Sequence, residues 1–84
     1  MSNRLTIDFT PAEGAVLRVL GLLERRGYLL RRVAMNEEPA GASLVVEVEP
    51  RDSGRRIDVI AQQLRRLIDV NSVRVAGHGA GPIA

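Results

Sequence analysis

The stretch Phe9-Thr-Pro-Ala-Glu-Gly-Ala-Val-Leu-Arg-Val-Leu-Gly-Leu-Leu-Glu-Arg-Arg-Gly-Tyr28, continuing Leu-Leu-Arg-Arg-Val-Ala-Met35, decides the fold. One strand ends in it, an amphipathic helix fills it, and a second strand begins after Gly27. The helix carries Ala12, Val16, Val19, Leu20 and Leu23 three or four residues apart, and Ala15, Leu17 and Leu22 widen the stripe. That period places them on one helical face. Gly14, Arg18, Gly21 and Arg25 fall on the opposite side. Thr10-Pro11-Ala12-Glu13 reads as a capping box with proline at the first helical position. Thr10 would accept from the Glu13 backbone N–H, and Glu13 would reach back to that of Thr10. Losing such a cap costs about 1 kcal/mol. Gly21 is a tolerated helix-interior glycine, at a cost of about 1 kcal/mol relative to alanine. Gly27 is suited to end the helix, because glycine takes the left-handed conformation there without penalty.

Outward from this stretch the chain repeats the plan. Residues 4–9 alternate, with Leu5, Ile7 and Phe9 on one face and Arg4, Thr6 and Asp8 on the other, the period of a half-buried strand. The second strand, residues 28–36, changes phase: Leu30 fits one face, Val33 and Met35 the other, and Arg31 and Arg32 lie at the change. A bulge reconciles the phases and suggests a sheet edge. Residues 37–41 read as a turn. Residues 42–49 are the cleanest strand, with Leu44, Val46 and Val48 inward and Ser43, Val45, Glu47 and Glu49 outward. Asp52 or Ser53 caps a second helix whose stripe is Ile57, Ile60, Ala61, Leu64, Leu67 and Ile68, with arginines, Asp58, Gln62 and Gln63 toward solvent. After a turn at 69–71, residues 72–76 form a last strand with Val73 and Val75 inward.

The order is β-α-β-β-α-β. Two helices with one apolar face each must cover one face of an antiparallel sheet, which is the ferredoxin-like two-layer α+β sandwich. Right-handed crossovers lead to the strand order 4-1-3-2, with the second strand at an edge. The domain is expected to span residues 1–76. The glycine-rich residues 77–84 are expected to be a flexible tail.

The 84-residue chain has room for one small domain, so self-association is a reasonable expectation. With one Phe, one Tyr and no Trp, the core must be aliphatic. Absence of cysteine excludes disulfides and thiol chemistry. No apolar run reaches membrane-spanning length and no signal-peptide pattern opens the chain, so a cytoplasmic protein is expected. All 12 basic residues are arginine. Genomic composition bias explains that choice; anion recognition is the functional reading. A net charge of +2 is too even for a nucleic-acid surface.

The catalytic inventory is thin. The one histidine, His78, sits in the glycine-rich tail. No His, Cys or carboxylate set has metal-ligand spacing, and no Ser/His/Asp set can be assembled. No catalytic residue and no metal ligand is therefore expected. The outward positions of the expected central strands are acidic or small, which opposes base stacking of the RNA-recognition type. What remains is regulation: a helix N-terminus that can hold a carboxylate, and an edge strand that can join copies.

The segment from Glu13 to Tyr28 resembles the first helix of ACT domains, and most closely that of the regulatory small subunits of acetolactate synthase (acetohydroxyacid synthase). Those have a Gly-Ala-Leu helix start, a mid-helix Gly-Leu and an Arg-Gly-Tyr exit, matched here at Gly14, Gly21 and Gly27. Gln63-Leu-Arg-Arg-Leu-Ile-Asp-Val-Asn-Ser-Val-Arg-Val75 is similar to their second helix and last strand. The resemblance covers about residues 4–76 and is to the short, single-domain type. It implies a non-catalytic homodimer that activates a large catalytic subunit in branched-chain amino acid biosynthesis. Thiamine diphosphate, FAD and magnesium belong to that subunit, and none is implied in this chain. The alternative is a stand-alone amino-acid sensor serving another enzyme. In valine-sensitive members two asparagines contact the effector; the matching positions here are Pro11 and Leu29. The implied effector site is thus Pro11, Gly14, Ala15 and Leu29, degenerate in its polar groups, and little or no valine binding is expected. Leu29, Arg31, Arg32 and Val33 are the expected dimer or partner edge.

Overall fold

A computed structural model describes residues 3–52, 54 and 56–76. Ser53, His78 and the expected tail at 77–84 lie outside the described residues. The elements are β1 (Asn3–Phe9), α1 (Ala15–Arg25), β2 (Tyr28–Glu38), β3 (Gly41–Pro50), α2 (Ile57–Arg65) and β4 (Val70–Ala76). The strands form one antiparallel sheet in the order β2-β3-β1-β4, which is 4-1-3-2 read from the other edge.

Alternation along the two central strands builds the core. Leu5, Ile7 and Phe9 of β1 pair with Val46, Leu44 and Ala42 of β3, and all six side chains are buried. Ala15, Val19, Leu22 and Leu23 of α1 and Ile60, Ala61 and Leu64 of α2 close over them. Tyr28 and Val73 complete the cluster. No polar or charged residue is buried among the described residues. Burying one such aliphatic side chain is worth about 1.5–3 kcal/mol.

The bulge falls where the phase change puts it. The β2–β3 register passes from Leu30↔Val48 to Arg32↔Glu47, leaving Arg31 extra. Tyr28 and Leu30 face the helices before it; Val33 and Met35, opposite Val46 and Leu44, do so after it. β2 is an edge with β3 as its one partner, so Val33 and Met35 stay 43% and 44% exposed. Val75, on edge strand β4, is 40% exposed for the same reason.

Several local expectations are corrected. The capping box does not form: α1 starts at Ala15, behind a left-handed Gly14 (φ 80°, ψ 0°), with no side-chain cap. Ala15 N–H bonds Ala12 C=O at 3.0 Å, and a β-turn with Gly14 in its third position replaces the helix's expected first turn. The Thr10 N–H donates to Asp69 C=O at 2.8 Å, and its hydroxyl accepts from Asn71 Nδ2 at 3.3 Å. Tertiary partners have therefore taken the groups the box needed. Ala12 is consequently exposed, outside the helix. Asp52 does not cap α2, whose N-cap is Arg56; its Oδ1 accepts instead from the Gly54 N–H at 3.0 Å. Ile68 lies beyond the end of α2 and is 91% exposed, and Leu17 lies off the buried arc at 75%. β2 runs on to Glu38, so only Pro39 and Ala40 turn the hairpin, and β4 begins at Val70 rather than Ser72.

Leu23→Ala should cost about 2–5 kcal/mol in urea unfolding, since the side chain is fully buried. Leu17→Ala and Glu13→Ala should each stay within about 0.5 kcal/mol, both being exposed residues without a capping contact.

Candidate functional site

The helix head sits where the chain leaves β1. Phe9 is buried and fixes the strand end; Pro11 is exposed; Gly14 is half-buried; Ala15 is buried against the core. Gly14 is at positive φ, which only glycine adopts freely, so this turn depends on it. One helical turn on, Arg18 pairs with Asp69 of the α2–β4 connection. A Cβ at Gly14 would meet Arg18 Nη1 at 3.1 Å, so the guanidinium lies across the turn. Together with the Thr10–Asp69 and Thr10–Asn71 bonds, this pair closes the helix head from the side. Sequence reading missed Arg18, Asp69 and Asn71 as the closing residues. Only the Gly14–Arg18 spacing of one helical turn hinted at the arrangement.

Leu29 lies elsewhere. In β2 it pairs with Glu49, whereas Glu37, Ala42 and Phe9 share the row nearest the helix head. From Glu49 to Ala42 along β3 is about 24 Å at ~3.4 Å per residue. One chain therefore brings Pro11, Gly14 and Ala15 together but not Leu29. Leu29 (36% exposed) and Val33, with the exposed arginines 31 and 32, do share one free edge. Arg31 is paired with Glu49 at 3.5 Å.

Two hollows indent the surface of the described residues. One of about 350 Å³, lined by Asp8, Asn36, Glu38, Ser43, Asn71 and Arg74 among others, opens at the hairpin end of the sheet. Its charges are partly engaged: Ser72 Oγ donates to Asp8 at 2.7 Å and Arg74 lies 3.5 Å from the same carboxylate. The second hollow, of about 240 Å³, lies between the α1 C-terminus and the start of α2 and includes Arg26, Arg56 and Gln63. Arg56 donates to Asp58 at 3.1 and 3.3 Å. That hydrogen bond holds the Asp58 carboxyl below its ordinary range, and raises the guanidinium above its own. No group of three or more metal-ligating side chains occurs among the described residues. None of their helices is long and apolar enough to cross a membrane.

Comparison with known proteins agrees with this architecture. The ACT-domain sequence profile matches residues 11–73. The chain is similar in structure to the ACT domain of GTP pyrophosphokinase from Chlorobium tepidum (TM-score 0.73, 13% identity, 90% of this chain and 97% of that one). It is also similar to the C-terminal domain of the MgtC protein from Mycobacterium tuberculosis (TM-score 0.74, 9% identity, 99% and 93%). A third likeness is to formyltetrahydrofolate deformylase from Burkholderia mallei (TM-score 0.63, 18% identity), where it covers 90% of this chain and 27% of the other. No curated protein matches the sequence.

Two glycines should respond oppositely to alanine. Gly14→Ala should lower stability by about 1–2 kcal/mol, because its left-handed backbone resists a side chain. Gly21→Ala should raise it by up to about 1 kcal/mol, since its Cβ meets only the mobile end of Arg25 at 3.2 Å. Chemical denaturation of both variants checks the signs.

The Asp58 shift sets a pH dependence. Its folded carboxyl titrates below the unfolded one, so its contribution is present above the unfolded pKa and is lost as pH falls through the folded value. A carboxyl-carbon NMR titration should place Asp58 below ordinary aspartates. In Arg56→Ala that midpoint should rise.

Proposed function

Since the chain belongs to the ACT-domain family, whose members are small regulatory modules, we propose that it is the regulatory small subunit of an acetolactate synthase, activating the catalytic subunit with little or no response to valine. The observation that carries this reading is the pair of segments, Glu13 to Tyr28 and Gln63 to Val75, that resemble such subunits. The Arg18–Asp69 pair and the Thr10–Asn71 bond tie the head of the first helix to the second segment. The loss of valine control follows from the helix head. Pro11 has no N–H and no polar side chain to offer an effector. The Thr10 N–H and hydroxyl are engaged, and Arg18 is held by Asp69. Leu29 supplies no polar group.

In this reading the chain is a homodimer joined through β2. That edge carries unpaired backbone groups, and Leu29, Val33 and Met35 give it exposed apolar side chains. Two such edges paired antiparallel about a two-fold axis extend the sheet across both copies. Antiparallel pairing also sets Leu29 of one copy beside the 37-end of the other, the end at which the helix head lies. The four effector positions then meet only between copies. Thiamine diphosphate, FAD and magnesium would reside in the catalytic subunit. The work would be done in the cytoplasm, where branched-chain amino acids are made.

The second reading is an ACT amino-acid sensor that serves another enzyme. The neighbours of this fold, which include a domain of GTP pyrophosphokinase and part of formyltetrahydrofolate deformylase, are equally compatible with it. Reconstitution separates the two. Mixed with an acetolactate synthase catalytic subunit, the chain should raise its rate, and valine should change that rate little. An unchanged rate would favour the sensor. Val33→Lys should weaken the dimer at least about tenfold by sedimentation, through charge repulsion across the two-fold.

A further inference from the structure

The sheet has a second edge, β4. Its register with β1 is unbroken from Ser72 to Ala76, and it carries Val73 and the 40% exposed Val75. A β-branched edge of this kind is a template for a further strand. Which of its backbone groups are turned outward follows from the register. The Thr10 N–H is directed to the β4 side, where Asp69 C=O accepts it. Successive N–H groups along a strand alternate sides, so those of Asp8, Thr6 and Arg4 face β4 and that of Ile7 faces β3. The irregularity near Asp8 places its extra residue, Asn71, in β4 and leaves the alternation of β1 intact. Val73 lies opposite Ile7. Opposed residues of an antiparallel pair exchange both hydrogen bonds or neither, so the Val73 N–H and C=O point away from β1, out of the edge.

That carbonyl is not open to a newcomer. Arg65 Nη2, from the last turn of α2, donates to it at 2.8 Å in a partly buried contact. A bond from an ionised donor is about twice as strong as a neutral one. A strand arriving at β4 needs the same acceptor, near the middle of the edge, and would have to displace the guanidinium.

We propose that Arg65 seals the β4 edge, so that copies of this chain join through β2 alone and the sheet closes instead of growing into a ribbon. The sealing stands on the Arg65–Val73 contact and is independent of the enzyme regulated; the limit of two copies rests on the β2 pairing proposed above. Without the guanidinium, β4 of one copy can pair with β4 of another, and a chain with two open edges has no closed end.

The test combines sedimentation with amide hydrogen exchange on the full chain. The wild type should sediment no larger than a dimer at any concentration. Arg65→Met keeps the aliphatic stem and removes the donors. Its mass should rise past the dimer with concentration, and exchange at the Val73 amide should slow at least about tenfold on concentrating the sample. With Val33→Lys also present, Arg65→Met should convert a monomer into a dimer protected at Val73. Arg74→Met removes an equal charge from the same strand and leaves the contact in place, so it should behave as the wild type, as should Arg65→Lys, which keeps a charged donor. A failed β2 reading shows as a monomeric wild type, which Arg65→Met should still turn into a dimer. Arg65→Met matching the wild type in both backgrounds, larger species with Val73 unprotected, or Arg74→Met opening the edge equally would overturn the proposal.

Discussion

Everything in this domain depends on one apolar seam. One face of a four-stranded sheet is covered by two short helices, and the seam is filled almost wholly by aliphatic side chains. Leu5, Ile7 and Phe9 on one central strand and Leu44, Val46 and Val48 on the other supply its floor. Val19 and Leu23 of α1 and Ile60 and Leu64 of α2 supply its roof. With no polar or charged residue classed as buried among the described residues, side-chain shape largely sets the layer spacing. The helices are nine and eleven residues long, too short to be stable by themselves, so they exist because this seam holds them.

The other face of the sheet is organised by charge. Arg4 meets Glu47 at 3.2 Å, Arg74 and Ser72 both address Asp8, and Arg31 meets Glu49. Each exposed pair contributes at most about 1 kcal/mol. Their larger effect is to leave the open face without an aromatic platform or a one-sign field. Several of the twelve arginines are thereby engaged within the fold. That leaves the edge of β2 and the hollows as the surfaces with something to offer.

The strands and the bulge were legible because each has a period that the chain prints directly, and the sheet order followed from the handedness of the connections once the elements were placed. The phase slip at Arg31 and Arg32 is the clearest case: the residues on either side demanded opposite faces, and an extra residue was the only way to satisfy both. The helix starts were not legible. Thr10 and Glu13 have the right spacing for a reciprocal cap, but Asp69 and Asn71, distant in sequence, compete for Thr10 and win. Gly14 then admits a turn that a helix would not. Ile68 failed for a related reason: its spacing continues the stripe of α2, but the helix ends at Arg65. Of the implied site, Gly14 and Ala15 were legible as a turn and its buried neighbour. That Leu29 stands about 24 Å away along the sheet is a matter of topology, which residue spacing does not contain.

The placement of β1 has a consequence for how the chain acquires its structure. It is made first, yet it sits inside the sheet, flanked by β3 and by β4, the last strand of the domain. Neither neighbour is local: Leu5 pairs with Val46 and with Val75. A nascent chain therefore holds a strand whose apolar side chains, Leu5, Ile7 and Phe9, all belong in the core, unpartnered until β3 emerges and half-partnered until β4 does. Loop closure over such separations is slow, and the waiting strand is a hazard for misassociation. The β2–β3 hairpin, closed by Pro39 and Ala40, is the piece that can form early. It gives β1 a template to dock on well before synthesis of the domain is finished.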